Sequence, residues 1–172
     1  CASTALPAVD FGFGNVTGNL ISLKGNFTKT GAGDITTSSV TNASTGFVFS
    51  GVNQTFTFAG TSSGVNYTAN NTGTFTCGSN FTFGTALTQK TIFTINAPTL
   101  NLASRVFTGN ATKAQFNIAN GVNVLTSNTG GLGVTGATGN FVGFSSIGNT
   151  PADGRVVFGA NSNYTFSGNT TT

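Results

Sequence analysis

The chain has 172 residues, a net charge of +3 and no histidine or glutamate, and only 5% of its residues are charged. Typical soluble domains carry roughly 25% charged residues. The six bases are scattered, so the sequence argues against nucleic-acid binding, which needs clustered cations. No apolar run approaches about 18 residues, as a membrane-spanning helix would require. Seventeen phenylalanines and many β-branched residues indicate a folded core rather than disorder.

The N-terminal segment, ASTALPAVDFGFGNV (2–16), has the pattern of a tail that ends in a strand. Val9, Phe11 and Phe13 alternate with small or polar residues, which places three apolar side chains on one face. We predict that residues 1–16 form a donor strand, which leaves its own domain and completes that of the next subunit. The alternative is that the same strand pairs within its own domain.

Short runs with alternating apolar residues follow, separated by Gly, Asn and Ser, and they show no helical periodicity. Examples are NLISLKGNFTKT (19–30), GFVFSGV (46–52), QTFTFAG (54–60), TIFTINA (91–97), AQFNIAN (114–120), GVNVLTS (121–127), NFVGFSS (140–146), RVVFGA (155–160) and NYTFSG (163–168). The short segments FTF and NFT recur at no fixed period, and we interpret them as typical of β-strands and not as a structural repeat. We therefore predict an all-β fold for residues 17–172: a single β-sandwich, of jelly-roll or immunoglobulin/pilin-like type, with about ten to twelve short strands.

Ten N-x-[ST] triplets are spread along the chain, and each is a potential N-glycosylation site. They begin at Asn15, Asn26, Asn42, Asn53, Asn66, Asn70, Asn80, Asn110, Asn163 and Asn169. On a strand, Asn80 and Thr82 would face water while Phe81 enters the core. We predict N-glycans on at least four of the ten, including Asn66 or Asn80. The alternative is a bacterial or phage β-fibre with Asn/Thr ladders and no glycan.

Cys1 and Cys77 are the two cysteines of the chain. We predict a disulfide between them, since disulfides form and persist in secreted proteins. A cysteine at position 1 is also typical of a mature end left by signal-peptide removal. A lipid-modified Cys1 and two unpaired thiols remain as alternatives. A tetrahedral zinc site would need more ligands than two cysteines without histidine.

The sequence predicts no catalytic, metal-binding or cofactor-binding residues. General acid–base catalysis needs ionisable groups within reach of one another, and the acids Asp10, Asp34 and Asp153 are far apart in sequence. The segment GLGVTG (131–136) matches GxGxxG, but the residues after it are strand-like rather than helical, which favours a plain glycine-rich loop.

A cysteine at the mature end, a tail and a charge-poor, sequon-dense β-domain resemble the glycosylated thread and bundling-pilus subunits of archaea. Those subunits are similar to bacterial type 1 pilins in layout. The resemblance implies head-to-tail homopolymers joined by donor-strand complementation, with N-linked glycans, at the cell surface, in adhesion or biofilm. The sequence therefore favours a structural subunit of an extracellular filament. The alternative is a monomeric or trimeric surface binding module, such as an adhesin tip, a phage fibre or a viral surface domain.

Overall fold

The structure is a computed structural model that describes residues 9–10, 20–36, 46–84, 90–133 and 138–167. Its regular elements are β-strands, as the sequence predicted. In chain order they are β1 Val9–Asp10, β2 Leu20–Leu23, β3 Phe27–Lys29, β4 Ile35–Thr36, β5 Gly46–Phe49, β6 Gln54–Phe58, β7 Thr61–Ser63, β8 Asn66–Ala69, β9 Thr74–Cys77, β10 Phe81–Phe83, β11 Thr91–Ile95, β12 Thr99–Ala103, β13 Phe107–Thr108, β14 Ala114–Ile118, β15 Asn123–Thr126, β16 Phe141–Val142, β17 Ser146–Gly148, β18 Arg155–Phe158 and β19 Asn163–Phe166.

The strands form three sheets in which neighbouring strands run parallel. Sheet 1 has the order β1-β4-β7-β10-β13-β16, sheet 2 the order β17-β18-β14-β11-β8-β5-β2, and sheet 3 the order β19-β15-β12-β9-β6-β3. From β1 to β16 the chain visits sheets 1, 2 and 3 in rotation. This arrangement is a parallel β-helix, in which each turn of the chain, or coil, stacks on the one before.

The predicted single β-sandwich is therefore wrong. Alternation of apolar and polar residues shows that a segment is a half-buried strand, but it does not show which strand pairs with it or in which direction. The repeat was also concealed by uneven coil lengths. Equivalent positions in successive coils are 21 residues apart for Asn53 and Thr74, 26 for Asn80 and Val106, and 40 for Asn123 and Asn163.

The core is a set of aromatic columns that run along the axis of the β-helix. In sheet 2, parallel pairing brings Phe47, Tyr67, Phe93 and Phe116 into one register. Their ring centroids are 5.6, 5.2 and 5.3 Å apart and successive planes are inclined by 18°, 15° and 17°. Such offset stacking contributes about 0.5–1.5 kcal/mol per pair beyond the burial of area. Repetition of similar residues at equivalent positions therefore stabilises one coil on the next.

The C-terminal end of sheet 2 is built by a parallel strand pair rather than by a hairpin. Ser146 to Gly148 of β17 lie beside Arg155 to Val157 of β18, so β18 is inserted between β17 and β14. Gly154 fixes the return of the chain. Its φ is +71°, its N–H donates to the carbonyl of Ala114 at 2.7 Å, and its carbonyl accepts from the N–H of Ser145 at 2.7 Å.

The predicted N-terminal donor strand is corrected in part. Val9 and Asp10 pair in parallel with Ile35 and Thr36 of the same chain, so β1 belongs to its own β-helix. Phe11, Phe13 and the rest of residues 11–19 lie outside the described residues. The division of the chain into residues 1–16 and 17–172 stays a prediction.

Candidate functional site: the corners and ends of the β-helix

Four of the sequon asparagines connect successive coils. Each lies at or just before the start of a strand, and its side-chain oxygen accepts a hydrogen bond from a backbone N–H of the following coil. The pairs are Asn26 with Thr55 at 2.8 Å, Asn53 with Thr74 at 2.8 Å, Asn66 with Ile92 at 3.3 Å and Asn80 with Val106 at 3.0 Å. Each donor lies in the first two residues of a strand or just before one, and the asparagine oxygen supplies it with an acceptor from the preceding coil.

The residue in the middle of these sequons points towards the core. Tyr67 is fully buried and Phe81 is 1% exposed, and Phe27 packs partly buried against the same core. Tyr164, in the last strand of sheet 3, is 45% exposed. The asparagines before Phe27 and Phe81, Asn26 and Asn80, are exposed, whereas Asn66 before Tyr67 is half-buried.

Three further sequon asparagines make other contacts. The Asn70 oxygen accepts from the Asn96 amide at 2.7 Å, and the Asn163 amide donates to Asn123 at 2.9 Å. The Asn110 oxygen accepts from the backbone N–H of Thr112 at 3.1 Å, and its Nδ2 is buried without a partner. Asn15, Asn42 and Asn169 lie outside the described residues, and glycosylation of all ten sites stays a prediction.

The outer face of sheet 3 carries rows of threonine and asparagine. Its threonines on β6, β9 and β12 are half-buried, and none of their hydroxyls has a hydrogen bond within the described part of the chain; they are Thr55, Thr57, Thr74, Thr76 and Thr99. Thr55 is in register with Thr76, and Thr74 with Thr99. Neighbouring strands lie about 4.7–4.9 Å apart, so the face presents hydroxyls at a regular spacing.

Lys29, at the end of β3, bonds the backbone at a corner. Its ammonium donates to the carbonyls of Ala59 and Gly31 and lies 4.8 Å from the centre of the Phe58 ring. Burial lowers the pKa of Lys29, and the nearby Asp34 carboxylate opposes that shift. This cation therefore stabilises the junction between coils.

Two other cationic side chains, those of Lys90 and Arg155, also contact groups of the same chain. Lys90 forms an ion pair with Asp153 at 2.7 Å, and the Arg155 guanidinium donates to Ser146 Oγ at 3.2 Å and to the Thr150 carbonyl at 2.9 Å. Exposed ion pairs contribute little to stability. The contacts of Arg155 instead fix the connection between β17 and β18.

Cys77 lies on β9, is 1% exposed and forms no disulfide with another described residue. Burial raises the pKa of this thiol, with a smaller opposing effect from Arg105. Cys1 lies outside the described residues, so the pairing of Cys1 with Cys77 stays a prediction.

Core-facing side chains are left exposed at the C-terminal end of the β-helix. Ile147 of β17 lies in register with the buried Val156 but is 52% exposed. Tyr164 of β19 lies in register with the buried Val124 but is 45% exposed. At the other end, Ile21 of β2 lies in register with the buried Phe47 but is itself only partly buried. Among the described residues, no further coil covers the ends of the aromatic and aliphatic columns.

None of the described residues forms a helix that is long and apolar enough to cross a membrane. Within the same residues, no three His, Cys, Asp or Glu side chains lie together as metal ligands would. No protein-family model, curated protein or solved structure matches this sequence.

The sequon asparagines were predictable from the sequence, but their contacts between coils were not. Those contacts depend on pairing between residues that are 21 to 29 positions apart. The threonine rows were not predicted, although the segments QTFTF and TFTC already place threonines two residues apart. The exposed ends could not be found from the sequence, because every strand has the same local pattern.

Proposed function

We propose that this chain is a structural, non-catalytic subunit of an extracellular filament, in which copies stack head to tail. The observation that carries the proposal is the exposure of core-facing Ile147 and Tyr164 on the terminal strands β17 and β19. A coil of a second copy placed there would continue sheets 2 and 3 and cover both side chains. Such a contact joins two different ends, so it does not close and extends into a fibre.

The composition of the terminal strands supports this assembly. Among the terminal strands, β2, β16, β17 and β19 contain no charged residue, whereas β1 contains Asp10 and β3 contains Lys29. Exposed sheet edges are usually protected by charges, prolines or bulges, since unprotected edges pair with other strands. Ile21, Leu23 and Phe27 are only partly buried at the N-terminal end, which provides an apolar partner for Ile147 and Tyr164.

Donor-strand complementation, which the archaeal thread resemblance implies, does not fit three parallel sheets. It completes an open sandwich, whereas these sheets belong to a β-helix. Strand addition at the sheet ends uses the same backbone hydrogen bonds and reaches the same head-to-tail polymer. A role in adhesion or biofilm remains part of the proposal.

The test measures assembly of the full chain at increasing protein concentration, by sedimentation and by negative-stain electron microscopy. We expect filaments from the unmodified chain and monomers from Ile147→Lys, because a buried ammonium opposes stacking. Val52→Lys is the matched control, since Val52 is 66% exposed but lies between β5 and β6. Circular dichroism verifies that each variant is folded. A chain that stays monomeric at every concentration, or an Ile147→Lys variant that still forms filaments, overturns the proposal.

A second candidate function is binding of a regular surface by the outer face of sheet 3. The partner-free hydroxyls of Thr55, Thr74 and Thr76 at strand spacing favour it. Ice is a ligand whose oxygen atoms also repeat in rows. We expect the unmodified chain to show thermal hysteresis if it binds ice. The Thr76→Lys variant should lose it, and the Thr94→Lys variant, changed on the outer face of sheet 2, should keep it. No hysteresis in the unmodified chain would exclude ice.

A further inference from the structure

The sequons divide by structure into sites that can carry a glycan and one that cannot. We propose that Asn26, Asn53 and Asn80 are N-glycosylation sites built into the corners of the β-helix, and that Asn110 stays unmodified in the folded chain. This inference rests on the extracellular location in the proposed function and is independent of filament assembly.

In the three corner asparagines the side-chain oxygen bonds the fold, and the side-chain nitrogen Nδ2 is left for the sugar. The side chains of Asn26, Asn53 and Asn80 are exposed. Each side-chain oxygen accepts a backbone hydrogen bond from the next coil at 2.8, 2.8 and 3.0 Å. Their amide nitrogens make no hydrogen bond within the described residues, so Nδ2 is available.

The chemistry of N-glycosylation is compatible with this division. The Nδ2 atom forms a bond to the anomeric carbon of the sugar, and the bond from that carbon to the phosphate of a lipid-linked sugar donor breaks. The amide loses one proton and the phosphate takes the electron pair of the broken bond. The side-chain oxygen is unchanged and remains a hydrogen-bond acceptor. A glycan at these corners therefore leaves the contact between coils intact.

Asn110 has the opposite arrangement. Its oxygen accepts from the backbone N–H groups of Thr112 and Lys113, and its Nδ2 lies buried. A sugar on that nitrogen would have to occupy space filled by the protein. Exposing Nδ2 by rotation would break both hydrogen bonds at the turn that precedes β14.

The position of the three sites suits a chain with so few charges. Asn26 and Asn53 stand where the chain enters sheet 3, at β3 and β6, and Asn80 stands where it enters sheet 1, at β10. Only 5% of the residues are charged, and charge is what usually prevents proteins from associating through their surfaces. Glycans at two corners would shield the sides of the rod.

Glycopeptide mapping tests the inference on the folded full chain, secreted from a eukaryotic host that glycosylates a reference protein in the same culture. We expect sugar on Asn26, Asn53 and Asn80 and none on Asn110. A peptide of residues 107–116, offered to microsomes of the same host, checks that the Asn110 sequon is accepted when unfolded. We expect this peptide to be modified.

Three outcomes would overturn the inference. They are a glycan on Asn110 in the folded chain, bare Asn26, Asn53 and Asn80 beside a modified reference protein, and a peptide of residues 107–116 that is not modified. The last would mean that the local sequence, and not burial, excludes the sugar. None of these results depends on whether the chain polymerises, so failure here is distinguishable from failure of the filament proposal.

Discussion

At the scale of single residues, asparagine has two roles in this chain: it is the acceptor residue of a sequon, and its side-chain oxygen bonds the next coil. The sequence shows only the first. The sequon pattern identifies Asn80 as a surface residue, and the structure places its side chain at an exposed corner. The hydrogen bond from the N–H of Val106 to its oxygen joins residues 26 positions apart. No local pattern announces that bond, because it exists only once two coils are stacked in register. Exposure was therefore predictable from alternation, and the contact between coils was not.

Two substitutions at Asn80 separate these roles when the chain comes from a host without N-glycosylation. Asn80→Ala removes the acceptor for the Val106 N–H, and we expect the free energy of unfolding to fall by about 0.5–1.5 kcal/mol. Asn80→Asp keeps an acceptor oxygen, and we expect a change within about 0.5 kcal/mol. Urea denaturation measures both. Equal losses in the two variants would show that the oxygen does not stabilise the stack.

At the scale of elements, the strands were predictable and their partners were not. TIFTINA, AQFNIAN and NYTFSG contain β11, β14 and β19, because alternation marks a strand wherever one face is buried. The same alternation fits parallel and antiparallel pairing. The Asp153-Gly154 turn shows the difference. An Asp-Gly turn before a strand is typical of an antiparallel hairpin, but the strand that follows this one, β18, runs parallel to β17.

Gly154 offers a direct test of that connection. A Cβ atom at this position would lie 2.2 Å from the carbonyl oxygen of Ala111, and its φ of +71° is unfavourable for other residues. We expect Gly154→Ala to lower the free energy of unfolding by at least about 2 kcal/mol, measured by urea denaturation.

Two other glycines serve as controls for Gly154. Gly121 also has a positive φ, +74°, but has no heavy atom within 4 Å of its Cβ position, so Gly121→Ala measures backbone strain without a clash, about 1–2 kcal/mol. Gly25 has neither feature, and we expect Gly25→Ala to change stability by less than about 0.5 kcal/mol. If Gly154→Ala cost no more than Gly121→Ala, the close approach to Ala111 would not constrain the chain.

At the scale of the whole molecule, stability is distributed along a stack of coils rather than gathered in one layer. Each coil contacts mainly the coils on either side, and stack stability is then a sum of coil and interface contributions. Phe93, in the middle of the stack, is fully buried and packs 5.2 Å from Tyr67 and 5.3 Å from Phe116. The end strands β2, β17 and β19 have a neighbour on one side only among the described strands. We therefore expect local unfolding to be most frequent at the terminal strands, which are also the strands that would contact a second copy in the proposed filament.

Hydrogen–deuterium exchange with mass spectrometry measures this gradient. In the monomer we expect amide exchange to be slowest in β8 and β11, which have strands on both sides, and fastest in β2, β17 and β19. In assembled filaments we expect the end strands to become as protected as the central ones, because a neighbouring copy would supply their missing partners. The Ile147→Lys variant, under the same conditions, should keep the exchange pattern of the monomer. Uniform protection in the monomer would mean that the coils open together. End strands that stay unprotected in filaments would mean that copies meet through a sheet face and not through the coil ends.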